Sequence, residues 1–378
     1  MRRFTRAFSS AASLVHIPPT AGSGAPRTFP PPFPLRALRG YINGAWVPAA
    51  SGATTPVLCP ADGAALCVVP DMGRADTEAA IAAAVAALPA WAARPAAERC
   101  AILRRFYEAV LANVDGLAVL LSLEAGKPLE EAKGEVRYAA DFLEWYAEEG
   151  KRPQGEVLTP SRADRRMLTL AAPVGPCALL TPWNFPAAMP TRKLGPALAA
   201  GCTMVLRPAV ETPLSAMALV QLAEGAGVPP GVLNLVVGRD HGAIAGELTA
   251  SPHIKKVSFT GSVRVGKLLM ADCAGTLKRL SLELGGQAPF LVFEDAGACQ
   301  NIRGQGGRCG RPSHTHTIHT PPPQTLTRRW RAPWPQSSAT RGRRACAPTP
   351  FSCTAPCCAP SRTSWRRACP RWWWATAW

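Results

Sequence analysis

CALLTPWNFPAAMPTRKLGPALAAGCTMVLRP, residues 177–208, contains a four-residue apolar run, a proline-bracketed turn, a helix-compatible stretch and a second apolar run. A short uninterrupted apolar run bounded by turn residues fits a strand buried on both faces. Residues 177–180 and 203–206 are two such strands, with a helix predicted over 194–200. The unit then repeats, with helix 214–224, strand 232–236, helix 241–249 and strand 256–259. This alternation predicts an α/β fold with a parallel, doubly wound sheet of the Rossmann type. Such sheets bind ligands outside the carboxyl ends of their strands, so the turns after the strands are where chemistry is sought.

Upstream, YINGAWV (41–47) and the segment after Thr55 read as short strands joined by Asn-Gly and Asp-Gly turns. Residues 75–91, 96–111 and 129–149 have helical periodicity, with Asp76 and Thr77 placed to begin the first helix. The folded region is therefore expected over residues 40–296.

The formal net charge of the 378-residue chain is +17, but it is concentrated at the two ends. No Asp or Glu precedes Asp62, and that stretch carries six arginines. Residues 299–378 carry thirteen arginines and neither an acid nor a lysine. Without those arginines the middle is about two charges negative, as in an ordinary globular protein. Residues 1–39 begin MRRFTRAFSSAASLVH, with the acid-free Arg, Ser and Ala composition of an organelle import peptide. Mitochondrial import is expected, with plastid import or a plain disordered tail as alternatives, and PPPFPLR (30–36) reads as linker. No stretch approaches the apolar length of a membrane span, so no membrane partner is expected. Seven of the thirteen cysteines follow residue 298, and the other six are scattered singly without metal spacing. Those six are expected to be reduced and mostly buried.

Residues 299–378 break the pattern, with many prolines and no amphipathic period. A basic, aromatic segment could bind nucleic acid, and Cys and His could bind zinc. The ligand spacing makes no paired set, however. A third reading, that this is not an evolved protein segment, is preferred, so neither nucleic acid nor metal is expected.

Three turns carry candidate chemistry. TPWNFP (181–186) places Asn184 after a strand, where its amide could donate to an oxyanion, although an Asn in a turn is more often structural. VSFTGSVRVGK (257–267) places Gly261 and Ser262 at a strand–helix turn, where the helix N-terminus attracts phosphate. LELGGQAP (282–289) sets Glu283 beside two glycines in an apolar setting, where its pKa would rise and suit a general base. A satisfied structural Glu is the other reading.

Taken with EAGKPL (124–129) and FLEWYAEEG (142–150), the order and spacing of these motifs over residues 40–296 resemble the aldehyde dehydrogenase superfamily, nearest its succinate-semialdehyde dehydrogenases. The resemblance implies that a cysteine thiolate attacks a small aldehyde and that Asn184 and a backbone N–H hold the oxyanion. It further implies that hydride passes to the nicotinamide of NAD or NADP and that Glu283 activates water to hydrolyse the thioester. By the same resemblance Trp183, Arg207, Ala209, Val210, Gly261, Ser262, Gly266 and Leu284 bind the cofactor. Arg192 would fork onto a substrate carboxylate. Complete members are dimers or tetramers, so a homo-oligomer is implied for the complete enzyme and doubted for this chain.

Two departures from the family pattern matter. The family commonly has Lys-Pro-x-Glu where this chain has Arg207-Pro208-Ala209-Val210. That Glu repels a ribose 2′-phosphate; Val210 removes the repulsion and Arg207 keeps a cation, so NADP is expected to be tolerated or preferred. Glu211, one position along, opposes this. The second departure is that no Gly-Gln-x-Cys nucleophile motif follows Glu283, and Cys299 and Cys309 have the wrong neighbours. Read one frame over, permissible codons from Arg331 onward spell GALAAKFRNAGQTCVCAN, which looks like the family's catalytic segment. Trp372, Trp373, Trp374 and Ala375 force Val-Val-Gly in that frame. A splice donor fits the codons at Gly297, and an acceptor fits those at Pro321 to Gln324. The hypothesis is that residues 297–324 are translated intron and 325–378 out-of-frame translation. The chain as written is then expected to be inactive and to expose apolar surface; the alternative is a catalytically dead NAD(P)-binding or regulatory fragment.

Overall fold

A computed structural model describes residues 32–152 and 155–287. Most of residues 1–39, all of 297–378, and with them Cys299 and Cys309, lie outside the described residues. The chain divides after Gly285, and every element below belongs to the first unit.

β1 (Gly40–Ile42) and β2 (Ala45–Val47) form the expected hairpin, turned by Asn43 at φ 51° and Gly44 at φ 82°. Two consecutive positive φ values match the right-handed strand twist, which is why Asn-Gly suits this turn. β3 (Thr54–Leu58) and β4 (Ala65–Pro70) pair as a separate antiparallel ribbon. Four helices follow, α1 (Arg74–Ala93), α2 (Ala96–Ala112), α3 (Val114–Ala125) and α4 (Leu129–Glu149). α1 starts at Arg74 with Gly73 as its N-cap, so Asp76 and Thr77 stand just inside the helix and not at its start: the Asp76 carboxylate accepts from Gly73 N at 2.9 Å, and the Thr77 hydroxyl donates to Gly73 O at 2.8 Å. α3 was not expected. Its sequence, VDGLAVLLSLEA, is apolar on nearly every side, so it shows no amphipathic period.

After an exposed ribbon, β5 (Val157–Leu158) with β6 (Met167–Leu168), the alternating region begins. It runs β7 (Cys177–Leu180), α5 (Ala188–Ala199), β8 (Met204–Arg207), α6 (Pro213–Ala226), β9 (Leu233–Leu235), α7 (His241–Ala250), β10 (Lys256–Gly261), α8 (Val263–Ala274) and β11 (Arg279–Leu284). The helix expected at 194–200 starts earlier, at Ala188. Pro190 falls in its first turn, where a missing N–H costs nothing.

The large sheet has the order β11-β10-β7-β8-β9-β1-β2. The five adjacent strands from β11 to β9 are parallel, as expected of the alternating region, but the sheet is not wholly parallel, because β1 joins β9 antiparallel through Tyr41 and Leu235. Buried Asn234 explains the attachment: its Oδ1 accepts from Asn43 N at 2.9 Å, while its Nδ2 donates to Gly231 O and Met204 O. The hairpin thereby covers a strand edge that would otherwise invite pairing.

Side chains alternate across the sheet. Cys177, Leu179, Met204 and Leu206 point into a core shared with α2 to α6, while Ala178, Leu180, Val205 and Val257 face a second core with α1, α7 and α8. The chain winds outward from β7 to β9, then returns to β10 on the opposite side of β7. The order therefore reverses between β7 and β10. Their carboxyl ends, which lead into TPWNFP and Gly261-Ser262, flank the crevice where such sheets bind ligands.

Candidate active site

The TPWNFP turn is exposed at Trp183, Asn184 and Phe185 and is anchored from beneath. Lys127 Nζ donates to the Asn184 backbone carbonyl at 3.1 Å, pairs with the Glu135 carboxylate at 2.5 Å and lies 4.0 Å from the centre of the Phe185 ring. Buried Glu135 accepts from Ala187 N at 3.0 Å and Ala188 N at 3.3 Å. It supplies the carboxylate that the free N–H groups opening α5 require. The EAGKPL stretch and the first half of α4 thus build the floor of the turn that presents Asn184. Sequence reasoning did not assign Lys127 or Glu135 these roles, because the turn they hold lies more than fifty residues downstream of each.

Glu283 lies on β11 opposite Thr260 of β10, at the same carboxyl edge. Its carboxylate forms an ion pair with Arg192 of α5 at 2.9 Å and accepts from the Thr260 hydroxyl at 3.4 Å. The apolar enclosure expected for it is not found. Its side chain is 48% exposed, because β11 is the edge strand of the sheet among the described residues. Arg192 is held in turn by the Tyr138 hydroxyl at 3.4 Å and by the Phe142 ring, 5.1 Å away. Both aromatics belong to α4, so that helix orients the turn, through Glu135, and the guanidinium alike.

Next to Arg192, Lys193 is buried and donates to Ser258 Oγ at 2.9 Å. Burial pulls its ammonium pKa down to about 8, with Arg192 and Lys256 pushing the same way and Glu283 opposing. Sequence reasoning passed over this cation, since the strand residue that receives it is 65 positions downstream.

At the end of β10, Ser262 Oγ accepts from Val265 N at 3.3 Å and caps α8, so its hydroxyl holds the helix start. A Cβ on Gly261 would stand 2.4 Å from the Phe259 ring. Gly266 and Leu284 touch each other: a Cβ on Gly266 would reach within 2.6 Å of Leu284 Cδ2, so a larger residue there would have to displace the Leu284 side chain.

Arg207 ends β8 beside Leu180 of β7. Ala209 after it is buried, Val210 is half-buried and Glu211 is exposed. The geometry brings Arg192 to Glu283 and Gly266 to Leu284. It places Trp183, Asn184, Arg207, Gly261 and Ser262 along one carboxyl edge.

Residues 46–305 match the aldehyde dehydrogenase family. The chain belongs to that family. It is 53% identical over 266 residues to glutarate-semialdehyde dehydrogenase of Pseudomonas putida, a match covering 70% of this chain and 55% of the relative. It is 54% identical, with the same coverage, to the NADP(+) succinate-semialdehyde dehydrogenase of Escherichia coli. A crystal structure described as an E. coli NADP dependent enzyme superposes with a TM-score of 0.66 at 53% identity, covering 71% of this chain and 55% of that one. The chain spans about half the length of the curated relatives it matches. Members of this family are NAD(P)-dependent oxidoreductases, and one local feature fits such a ligand. Arg207 Nε is buried with no hydrogen-bond partner, a donor left over at the edge where a dinucleotide would lie.

Proposed function

We propose that the enzyme this gene encodes oxidises succinate semialdehyde, or the longer glutarate semialdehyde, to the diacid with NAD(P). Its place would be the breakdown of 4-aminobutyrate in mitochondria, the location supported by the composition of residues 1–39. The observation that carries the substrate class is Arg192, a guanidinium held by Tyr138 and Phe142 next to the candidate base Glu283. A substrate whose far end is a carboxylate can take the place of Glu283 on Arg192, which releases Glu283 to accept a proton from water. Asn184, in the exposed turn, would donate its amide to the developing oxyanion. The cofactor would be held by Trp183, Arg207, Ala209, Val210, Gly261, Ser262, Gly266 and Leu284, and would supply the hydride acceptor. Val210 in place of an acid, with Arg207 adjacent, supports acceptance of NADP.

The 378-residue chain itself contains no Gly-Gln-x-Cys motif, so it would bind NAD(P) without turning over aldehyde. We read residues 1–39 as import peptide and linker, 40–296 as the enzyme's own sequence, and 297–378 as retained intron followed by frameshift. The complete enzyme would be a homo-oligomer.

The substrate reading is tested with Arg192→Met in the enzyme made from the spliced reading frame. The expected result is a KM for succinate semialdehyde raised on the order of 10–100-fold, the worth of a charge-assisted hydrogen bond. The KM for a neutral aldehyde of equal length should barely move. Equal losses for both aldehydes would remove the carboxylate role.

A further inference from the structure

Cys177 opens β7, and Cys202 lies two residues before β8, the neighbouring strand. Cys177 N donates to Thr203 O at 2.8 Å, and Cys177 stands opposite Met204 in the ladder. Cys202 is two positions before Met204, and both thiols enter the same core, on the sheet face that packs against α5. There the two side chains hydrogen-bond to one another. Both thiols are free and buried. Ala200, two positions before Cys202, is exposed, so the pair lies just beneath the surface at the amino end of the strands.

The surroundings of the two sulfurs differ. Cys177 Sγ donates to the Gly175 carbonyl oxygen at 3.4 Å, an acceptor that keeps this thiol protonated. Cys202 instead receives the backbone N–H groups of Val174 and Gly175, with the Arg99 guanidinium nearby. Ala199 O and Arg94 O hold that guanidinium in place. Donors and a cation favour a thiolate, so the Cys202 pKa falls below the usual thiol value while that of Cys177 rises. The thiols of Cys67, Cys100 and Cys273 are all pushed up, chiefly by burial.

We propose that Cys177 and Cys202 form a redox-active pair, which hydrogen peroxide converts to a disulfide and a small thiol such as glutathione restores. The Cys202 thiolate attacks one peroxide oxygen; the O–O bond breaks, hydroxide leaves and takes a proton from solvent, and Cys202 becomes a sulfenic acid. The Cys177 sulfur then attacks the Cys202 sulfur, forming the S–S bond as the S–O bond breaks, and the departing hydroxide leaves as water with the Cys177 proton. The two thiols lose two electrons in all, which reduce one peroxide to two waters. The bridge ties together the amino ends of the strands whose carboxyl ends carry the TPWNFP turn and Arg207. It depends on neither the substrate nor the cofactor reading.

The test treats the 378-residue chain with hydrogen peroxide, blocks the remaining thiols by alkylation and weighs the tryptic peptides. Residues 167–192 should appear joined to 194–239, and the joined species should vanish after dithiothreitol. Cys202 should oxidise at least about tenfold faster than Cys67, Cys100 or Cys273. In a Cys177→Ser chain, which cannot close the bridge, Cys202 should stop at the sulfenic acid and take up dimedone. In urea, where nothing holds the two thiols together, their preferential pairing should disappear. Absence of the joined peptide from the unsubstituted chain overturns the proposal, and so does equal pairing in urea. If the serine variant fails to fold, the comparison of native and urea-treated unsubstituted chain decides alone.

Discussion

The Lys127–Glu135 pair shows how much one residue can hold at this site. Glu135 is almost wholly buried, and its two oxygens serve the start of α5 and the Lys127 ammonium. Lys127→Met would leave a buried carboxylate facing only backbone N–H groups. Uncompensated buried charges of this kind cost about 3–5 kcal/mol. The expected outcome is an unfolding free energy in urea lowered by that amount, with the midpoint falling accordingly, partly recovered when Glu135→Gln is added. An unchanged midpoint in the single variant would mean that the pair contributes nothing to the fold. Arg192, Asn184 and Glu283 were legible as residues because their motifs are local. Their partners were not, since Arg192 and Glu283 stand 91 positions apart and meet only where α5 crosses the carboxyl edge of β11.

Among the elements, α3 and α6 are joined by Glu124, the first residue of EAGKPL. Its buried carboxylate accepts from Leu214 N at 2.7 Å and Ser215 N at 2.8 Å, capping α6 from a different helix. Burial pushes its pKa up to about 7, against the pull of those donors. A folded-state pKa above the unfolded value of about 4.3 means that the fold binds this proton more tightly. The resulting stability is complete below about pH 4.3 and is lost as pH rises through about 7, a difference on the order of 3 kcal/mol. Glu124→Gln, which keeps an acceptor but has no proton to lose, should flatten the dependence of unfolding free energy on pH between 5 and 8. If the variant and the original chain show the same slope in that window, Glu124 is not its source. The helices with an apolar stripe or clear turn residues at their ends were legible, α4 to the residue. The whole of α3 and residues 188–193 of α5 were not, because uniform burial removes the period and Pro190 resembles a stop signal.

At the scale of the molecule, apolar side chains stand in solvent on the β5–β6 ribbon and on α8: Val157, Leu168, Leu268 and Met270 are all more than half exposed. Exposed apolar side chains of this kind favour association. The 378-residue chain should therefore elute as polydisperse aggregate in size-exclusion chromatography with light scattering, whereas a clean monomer would show that these faces are covered. Sequencing the mature transcript across the codons for residues 297–324 tests the origin of the tail. Their absence, with the frame reopening into Gly-Gln-Thr-Cys, is the expected result. Their presence in most transcripts would make the tail a genuine part of the protein. The sequence alone determined the strand–helix alternation, the Asn-Gly hairpin, the family and the missing nucleophile motif. Each of these depends on residues close together along the chain. Only the tertiary structure decided that the sheet is mixed at β1, that Glu283 is solvent-facing and paired with Arg192, that Glu124 and Glu135 cap distant helices, and that Cys177 meets Cys202. Those outcomes depend on which strands become neighbours, and strand order is set by the packing of two cores on opposite faces of one sheet, which no local pattern encodes.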